Sequence, residues 1–367
     1  MSGIFKIYTR LTPLLSPLGK LYGWLMQLRR GLYRRGVLAS CRPVPLTVSV
    51  GNISWGGTGK TPIVAWLLGW AARKKLKVVV LSRGYKGKPP RLPFLVEAHG
   101  SPLESGDEPL MLAKLFPGAS VLVDPVRSRA VRFAEKTLSP GLFVLDDGFQ
   151  HLGVSRDLNI LLLTPDDLGA GWNRVIPGGT WRENSGALAD ADVILLRLES
   201  GCTQDAFEEL CAEARGKLGR LPLFPFFLEN TGLRRLGGKE TVPGLGGAPY
   251  NLFCGVGRPQ DVLLGATGLL GEAPRRFAAF DDHHEFLKEE ILALCEGGLN
   301  LVCTEKDAVK LEFYFPDILS NRPIWAMQAS VRFLPGCEGE AHGMDFEQWW
   351  ETFWGQAESA REPVEIL

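Results

Sequence analysis

The chain has 367 residues, of which 45% are hydrophobic and 22% are charged, values typical of a globular protein. This length predicts about two domains, and the composition favours a folded chain with a sizeable core over a disordered one. The net charge is zero, yet no Asp or Glu precedes Glu97, whereas residues 1–96 hold 17 of the 41 Lys and Arg. The asymmetry predicts that the N-terminal part meets an anionic partner (nucleotide, nucleic acid or acidic membrane), unless it is simply a solvated surface.

Seven cysteines are scattered along the chain, without a CxxC pair and without the spacing of a zinc site. Several lie in apolar runs, where Cys usually behaves as a small core hydrophobe. The pattern indicates a reducing compartment.

The first predicted element is an apolar segment over residues 4–28, which contains Tyr22 and Trp24 and is followed by basic pairs. Lys, Arg and Pro interrupt it, so it lacks the ~20 uninterrupted apolar residues of a transmembrane helix, and it fits a signal peptide poorly. Apolar and aromatic residues before a basic cluster are typical of a helix in the bilayer interface. The alternative is an ordinary helix packed on the domain. We assign residues 1–42 to this segment.

An α/β pattern begins at Leu46. Short apolar runs predict buried strands over residues 46–50, 78–81, 121–123, 142–145, 160–163 and 193–196. Helical stretches such as 62–75 and 108–115 separate several of them. This alternation predicts a mostly parallel sheet flanked by helices, of the P-loop NTPase type, over residues 43–228.

A Gly- and Pro-rich stretch over residues 229–250 is typical of an inter-domain linker. Residues 251–367 then repeat the α/β pattern and predict a second, smaller domain. Its predicted strands are 252–255, 277–280, 299–304 and 324–328, and its predicted helices are 259–270, 285–295 and 346–353.

The strongest motif is a glycine-rich loop that follows the first predicted strand and opens a helix. Its residues are Ser54, Trp55, Gly56, Gly57, Thr58, Gly59, Lys60 and Thr61. In this context the backbone N–H groups and the helix N-terminus bind phosphate, so the motif predicts an ATP site. Lys60 is expected to reach the β- and γ-phosphates, and the Thr61 hydroxyl to bind Mg²⁺. Ser54 replaces the first glycine of the usual motif. Trp55 replaces the signature lysine of partitioning ATPases, which argues against that class.

A second polar cluster follows the predicted strand over residues 142–145. Asp146 and Asp147 end this strand, where a P-loop protein holds Mg²⁺ or its waters. Neighbouring strand residues face opposite sides, so only one of the two is expected to approach the metal directly. Gln150 and His151 come next and would lie beside the metal, although a lone His is more often structural.

Basic residues follow two other strands, at the sheet edge where open α/β sheets bind ligands. Arg83 follows the second strand, and Arg127 and Arg129 follow the third, so they could hold a substrate phosphate. Taken alone, Asp107 at a helix start is better explained as a first-turn carboxylate. Residues 281–285 combine Asp, His and Glu without the spacing of a zinc site. Residues 304–310 fit a charged helix start and a functional segment equally well.

Together these segments resemble one family, the tetraacyldisaccharide 4'-kinases. The resemblance rests on GGTGKTP (56–62), LSRGY (81–85), GDEP (106–109), DDGFQH (146–151), RDLNI (156–160), Arg182-Glu183, the Phe280-Asp-Asp-His283 segment and TEKDAVK (304–310). It spans residues 10–330, and the order and number of the motifs make it specific.

The resemblance implies an ATP- and Mg²⁺-dependent kinase that phosphorylates the 4' hydroxyl of a tetraacylated glucosamine disaccharide 1-phosphate in lipid A biosynthesis. It also implies a peripheral protein at the cytoplasmic face of the bacterial inner membrane, with an anionic membrane surface and no nucleic acid as partner. It leaves the oligomeric state open. Carried over by motif, Asp107 and His283 form the acid/base pair, and His284 is a rival for His283. Lys60, which binds phosphate, is the third implied catalytic residue. The implied metal residues are Thr61, Asp146, Asp147 and Glu183. The implied substrate residues are Arg83, Tyr85, Arg127, Gln150 and His151.

Two other functions remain open at this point. One is a soluble P-loop kinase of small molecules, whose N-terminal helix merely packs on the core. The other is a nucleotide-dependent switch or partitioning ATPase that binds nucleic acid through the basic N-terminal part. The chain lacks the interleaved basic and aromatic residues of a single-strand platform, which argues against the second.

Overall fold

The structure is a computed structural model that describes residues 3–199, 201–238, 240–337 and 343–361, with side chains from residue 15 onward. The helices are α1 (Gly3–Arg34), α2 (Lys60–Arg73), α3 (Pro102–Ser105), α4 (Asp107–Leu115), α5 (Arg127–Thr137), α6 (Pro165–Leu168), α7 (Gln204–Leu218), α8 (Pro259–Leu270), α9 (Lys288–Leu294), α10 (Glu305–Tyr314), α11 (Pro316–Asn321) and α12 (Phe346–Ser359). Two short 3₁₀ helices span Ser185–Asp190 and Glu296–Gly298.

The strands are β1 (Leu46–Asn52), β2 (Val78–Ser82), β3 (Phe94–Leu95), β4 (Ser120–Val123), β5 (Leu142–Asp146), β6 (Leu158–Leu163), β7 (Val193–Arg197), β8 (Leu223–Arg235), β9 (Thr241–Val242), β10 (Tyr250–Cys254), β11 (Arg276–Ala279), β12 (Asn300–Thr304) and β13 (Ile324–Phe333). Every predicted strand is present, and most ends lie within two residues of the prediction. The α/β fold with mostly parallel strands flanked by helices is confirmed.

The chain divides into two compact units, and the first combines Met1–Thr58, Asp147–Phe227 and Arg332–Leu367. Its strands pair in parallel in the order β1, β6, β7 and β8. All seven residues of β1 are buried, which fits a strand covered on both faces. A cluster of buried side chains that includes Ile53, Phe149, Leu161 and Trp181 forms a core beside this sheet.

The second unit combines Gly59–Asp146 and Leu228–Val331. Here β5, β2 and β4 pair in parallel with β3 antiparallel at the edge, and β11, β10, β12 and β13 form another parallel set. The predicted linker over residues 229–250 contains the end of β8 and the whole of β9. The predicted domain boundaries at residues 42, 228 and 250 stay a prediction.

Two cysteines are paired in the first unit, which the sequence analysis did not predict. Cys211 in α7 and Cys337 after β13 form a disulfide, with their Cα atoms 5.9 Å apart. They are 126 residues apart in sequence, so their spacing carries no signal of the pairing. This pairing differs from what the expected reducing compartment favours, where cysteines usually stay reduced.

No helix within the described ranges has both the length and the apolar character needed to cross a membrane.

Candidate active site

The glycine-rich loop connects β1 to α2, as predicted, and Lys60 is the first residue of α2. Gly59 caps this helix with φ of 90°, and Gly56 has φ of 119°, both in the region that favours glycine. Thr61 follows Lys60 in the first helical turn. The loop therefore has the backbone freedom and the helix N-terminus that phosphate binding requires.

The beginning of the loop is anchored within the first unit. Trp55 N–H donates to the Thr180 carbonyl at 2.9 Å, and the Arg197 guanidinium donates to the carbonyl of Gly57. The indole of Trp55 is 60% exposed, whereas Ser54 is buried. The Thr58 hydroxyl is buried without a hydrogen-bond partner among the described residues. A buried hydroxyl without a partner is costly, which suits a position completed by a phosphate oxygen.

Asp146 and Asp147 differ in their surroundings. Asp146 ends β5, is 6% exposed and accepts a hydrogen bond from Ser82 Oγ at 3.2 Å. Asp147 adopts the left-handed conformation with φ of 51°, and Arg182 binds its two carboxylate oxygens at 2.8 and 3.0 Å. The two adjacent carboxylates therefore differ in burial and in backbone conformation.

Glu183 is held by Arg30 of α1. The guanidinium of Arg30 donates to both Glu183 oxygens, at 2.9 Å for Nη2 and Oε1 and 2.5 Å for Nε and Oε2, and both residues are buried. The same guanidinium lies 4.6 Å from the centre of the Phe149 ring and donates to the Phe149 carbonyl. Burial lowers the pKa of Arg30, but the hydrogen bonds and charges of Glu183 and Asp190 raise it by more than burial lowers it. The pKa therefore lies above its ordinary value. The predicted metal role of Glu183 stays a prediction.

Gln150 and His151 follow Phe149 in the same turn. Gln150 Nε2 donates to the Asn52 carbonyl at 2.9 Å, and the His151 carbonyl accepts from Arg156 at 2.9 Å. The first of these contacts joins the turn to the end of β1.

The described residues contain no group of three or more His, Cys, Asp or Glu placed to hold a metal ion. Mg²⁺ is commonly held by one or two carboxylates together with phosphates and waters. Thr61 and the buried Asp146 supply oxygen ligands of the kind Mg²⁺ prefers, so the residues present fit this ion.

Three of the predicted substrate residues lie in the second unit. Arg83 and Tyr85 directly follow β2 and are exposed. Arg127 starts α5, is 3% exposed, and donates to the Asp124 carbonyl at 2.7 Å. The substrate role of Arg127 stays a prediction, and the structure gives it a buried environment.

The Asp107–His283 pair is assembled within the second unit. Asp107 is the first residue of α4, and its Oδ2 lies 3.0 Å from His283 Nδ1. His283 has φ of 62°, which is a strained conformation for a residue other than glycine. Strained backbone conformations of this kind cluster at functional sites. The Tyr85 ring lies 5.2 Å from the His283 ring. The structure thus brings three predicted residues together, although Asp107 and His283 are 176 residues apart in sequence.

His284 has different partners. Its Nε2 lies 3.0 Å from Glu290 Oε2, and its ring stacks on Phe280 with the ring centres 4.6 Å apart. The two adjacent histidines are therefore distinguished by their contacts, and only His283 reaches Asp107.

Two lysines of α10 complete the surroundings of the pair. Lys310 Nζ lies 3.1 Å from Asp107 Oδ2, and Lys306 Nζ lies 3.2 Å from His283 Nε2. Burial raises the pKa of Asp107, but the hydrogen bond from His283 and the charge of Lys310 outweigh it, so the pKa is below its ordinary value.

No local sequence pattern assigns an individual role to Lys306, Lys310 or Arg30. The segment 304–310 was noted, and the i, i+4 spacing of its two lysines could have indicated a shared helical face. Nothing in the sequence joins Arg30 to Glu183, because the pairing spans 153 residues.

Comparisons with known proteins agree on one family. Residues 11–341 match the family model described as tetraacyldisaccharide-1-P 4'-kinase. The tetraacyldisaccharide 4'-kinase of Nitratidesulfovibrio vulgaris is 44% identical over 96% of this chain and 97% of its own length. The enzyme of the same name from Oleidesulfovibrio alaskensis is also 44% identical, over 94% of this chain and 96% of its own length. The crystal structure of LpxK from Aquifex aeolicus in complex with ATP matches with a TM-score of 0.73 and 30% identity, over 94% of this chain and 99% of that one.

Proposed function

The chain belongs to the tetraacyldisaccharide 4'-kinase family, and we propose that the Asp107–His283 pair activates the acceptor hydroxyl in its reaction. The protein is an ATP-dependent kinase of lipid A biosynthesis, as the sequence predicted. The two alternatives, a soluble kinase of small molecules and a partitioning ATPase, are not favoured by these relatives. The acceptor is the 4' hydroxyl of a tetraacylated glucosamine disaccharide 1-phosphate.

The observation that carries the proposal is the contact between Asp107 Oδ2 and His283 Nδ1 at 3.0 Å. Asp107 orients the imidazole, leaving Nε2 to accept the proton of the acceptor hydroxyl. The hydroxyl oxygen forms a bond to the γ-phosphorus of ATP while the bond from that phosphorus to the β,γ-bridging oxygen breaks. ADP leaves, and the Asp107 carboxylate stabilises the imidazolium. A base positioned in this way contributes about 10²–10⁴-fold to the rate.

ATP is the donor, and the glycine-rich loop is proposed to hold its phosphates. Positive φ values at Gly56 and Gly59 and the helix N-terminus at Lys60 support this role. Lys60 is proposed to neutralise charge on the β- and γ-phosphates. Catalysis of phosphoryl transfer depends mainly on such charge neutralisation and on positioning, and little on covalent chemistry by the protein. Ser54, Trp55, Gly57, Thr58 and Thr61 complete the proposed ATP-binding residues.

Mg²⁺ is proposed to bind through Thr61 and Asp146, and the family resemblance adds Asp147 and Glu183 to the proposed metal residues. When bound, the ion would neutralise phosphate charge during transfer. The oxygen atoms of Thr61 and Asp146 are of the kind that Mg²⁺ prefers, which supports their assignment as ligands. Asp147 pairs with Arg182 and Glu183 pairs with Arg30, and these contacts favour positioning roles for the two carboxylates.

The acceptor is an acylated lipid, and we propose that α1 binds the membrane that contains it. Exposed apolar side chains recur along α1 at three- and four-residue intervals; they are Leu18, Leu21, Trp24, Leu25 and Leu28. Gly19, Gly23 and Arg30 of the same helix are buried. An apolar stripe with basic residues at the helix end supports a peripheral position on an anionic inner membrane, at its cytoplasmic face. Arg83, Tyr85, Arg127, Gln150 and His151 remain the proposed substrate residues.

The test is transfer of γ-phosphate from labelled ATP to the acylated disaccharide 1-phosphate. Lys60→Ala and His283→Ala should both lose transfer, by about 10²-fold or more for the histidine. His284→Ala removes the adjacent imidazole, which contacts Glu290 instead, and is the matched control that should retain transfer. Full activity of His283→Ala beside an inactive His284→Ala would overturn the assignment of the base.

A further inference from the structure

The ring of His283 has a partner on each nitrogen. Nδ1 lies 3.0 Å from Asp107 Oδ2, and Nε2 lies 3.2 Å from Lys306 Nζ. A protonated lysine only donates hydrogen bonds, so Nε2 must accept and must carry no proton. Nδ1 then carries the ring proton and donates a hydrogen bond to Asp107. This is the neutral form that a base acting through Nε2 requires.

Lys306 is held in this position by two carboxylates besides its contact with His283. Its Nζ donates to Asp282 Oδ1 at 2.8 Å and lies 3.3 Å from Glu108 Oε1. Burial lowers the pKa of Lys306, but the charges of Glu108 and Asp282 raise it more, so its pKa is above the ordinary value and the side chain is cationic. Asp282 and Glu108 therefore still hold the Lys306 ammonium group when another group replaces it at His283 Nε2.

The helix that carries Lys306 is fixed at its start and along its length. Thr304 caps α10 by accepting from Asp307 N–H, and Asp307 in turn accepts from the Thr304 hydroxyl at 2.7 Å and from Gly255 N–H at 3.1 Å. Farther along, Glu312 of α10 pairs with Lys114 of α4 at 3.0 Å. Helix α4 begins at Asp107, so both partners of the His283 ring come from helices that are joined to each other.

From these contacts we propose that Lys306 is a positioning residue that keeps the His283 ring neutral, with Nε2 unprotonated until the acceptor hydroxyl replaces the lysine there. The proposal rests on the role of His283 given above. A carboxylate on Nδ1 alone favours the imidazolium form, which cannot act as a base. A cation on Nε2 opposes that protonation, and it leaves Nε2 as the acceptor that the hydroxyl meets.

The charged and titratable groups around the ring act in opposite directions. Asp107 from α4 and Asp282, whose Oδ1 lies 3.8 Å from Nε2, favour protonation. Lys306 opposes it directly, and Lys310 opposes it by pairing with Asp107. Glu108 acts through Lys306, and the Tyr85 ring is 5.2 Å away. Removing Lys306 takes away the direct opposition and leaves only that of Lys310. Protonation of the ring is therefore favoured.

The first experiment observes the ring without substrate, by ¹⁵N spectra of the full chain labelled in histidine. The chain has five histidines, and His283→Gln identifies the signals. In the wild type at pH 7 the ring should be neutral with its proton on Nδ1. Lys306→Met should increase the protonated fraction, whereas Lys306→Arg, which keeps the cation, should resemble the wild type. Should the Met variant not fold, Lys306→Gln removes the charge and keeps a donor.

The second experiment measures the pH dependence of transfer. In Lys306→Met, the acid limb should move to higher pH by about one unit, since a cation at this distance changes a protonation equilibrium by that order. Lys288→Met, which removes an exposed lysine paired with Asp317, is the matched control and should leave the profile in place.

An unchanged ring in Lys306→Met, together with an unchanged acid limb, would overturn the role of Lys306 even if His283→Ala abolishes transfer. Conversely, a shifted His283 signal in Lys306→Met together with full activity of His283→Ala would refute the role of His283 in the reaction. The contact between Lys306 and His283 would still be supported. The spectra and the transfer assay therefore separate the two proposals.

Discussion

Arg30 of α1 binds both carboxylate oxygens of Glu183, 153 residues away in sequence, in a pair that is almost wholly buried. Its guanidinium also donates to the carbonyl of Phe149, which lies between Asp147 and Gln150. The N-terminal helix is thus joined by one side chain to two segments that carry proposed site residues. The same helix presents the apolar stripe, so the proposed membrane contact and the geometry of the proposed site share an element.

Arg30→Met should destabilise the protein by about 3–5 kcal/mol, because removal of one partner leaves the buried Glu183 carboxylate without its counter-charge. Urea unfolding at pH 7 measures the change. Arg34→Met is the matched control, since Arg34 pairs with Asp190 but is 47% exposed, and exposed pairs contribute about 0–1 kcal/mol. Equal losses in the two variants would contradict the role assigned to burial.

Gly51 lies at the end of β1, where a side chain would collide with Phe149. A Cβ at Gly51 would lie 2.5 Å from Phe149 Cβ and 2.7 Å from its backbone nitrogen. Gly51→Ala should therefore displace the turn that carries Asp147 and Gln150 and cost about 1–3 kcal/mol. We expect transfer to fall with it.

The control for this variant is Gly216→Ala, in helix α7, where a Cβ would meet no atom within 4 Å. This change should stabilise the protein by about 0.5–1 kcal/mol, since alanine is the better helix former. Unfolding curves of both variants test the pair, and a neutral Gly51→Ala would show that the close approach is readily relieved.

Most elements of the fold were predictable because their signals are local, whereas β3, β8 and β9 were not predicted. Apolar runs bounded by turns marked the strands, and the helix over Pro259–Leu270 has the predicted bounds. The phosphate loop was equally clear, since its glycines, Lys60 and Thr61 stand together between a strand and a helix.

The pairing of distant side chains was not predictable from local pattern. Considered alone, Asp107 is a common first-turn carboxylate, and only the family resemblance selected it together with His283. The choice between His283 and His284 depends on backbone conformation and on contacts with α4 and α9, which spacing does not encode. The disulfide between Cys211 and Cys337 and the pair between Arg30 and Glu183 likewise arise from tertiary structure.

The lowered pKa of Asp107 predicts a contribution to stability in acid. Unfolded Asp titrates near its ordinary pKa of 3.8, whereas the folded carboxylate titrates lower because of His283 and Lys310. Between these pKa values the unfolded state binds more protons, so this contribution is present above pH 3.8 and is lost as the pH falls through the folded pKa.

Asp107→Asn should flatten the dependence of the unfolding free energy on pH below about pH 4, where the contribution of Asp107 is lost. Unfolding measured from pH 2 to pH 7 gives the slope. Asp317→Asn, at an exposed carboxylate paired with Lys288, is a comparison for charge removal, and it should change the slope less, because solvent screens exposed pairs. An identical slope in wild type and Asp107→Asn would contradict this account.

The apolar stripe of α1 predicts that charges placed on it weaken membrane binding. Leu21 and Leu28 are 55% and 47% exposed, and burial of a leucine side chain contributes up to about 1.5–3 kcal/mol. Leu21→Glu combined with Leu28→Glu should therefore reduce binding to vesicles containing anionic lipid by about tenfold or more. Co-sedimentation with vesicles measures it.

A double variant at exposed leucines of other helices, Leu264→Glu with Leu292→Glu, adds the same charge and should bind vesicles as the wild type does. The α1 variant should also lose transfer to acceptor embedded in vesicles while it retains transfer to acceptor dispersed in detergent, because its chemistry is intact. Equal loss on both forms of the acceptor would show that the leucines support the fold or the site, and undiminished vesicle binding would remove α1 as the membrane contact.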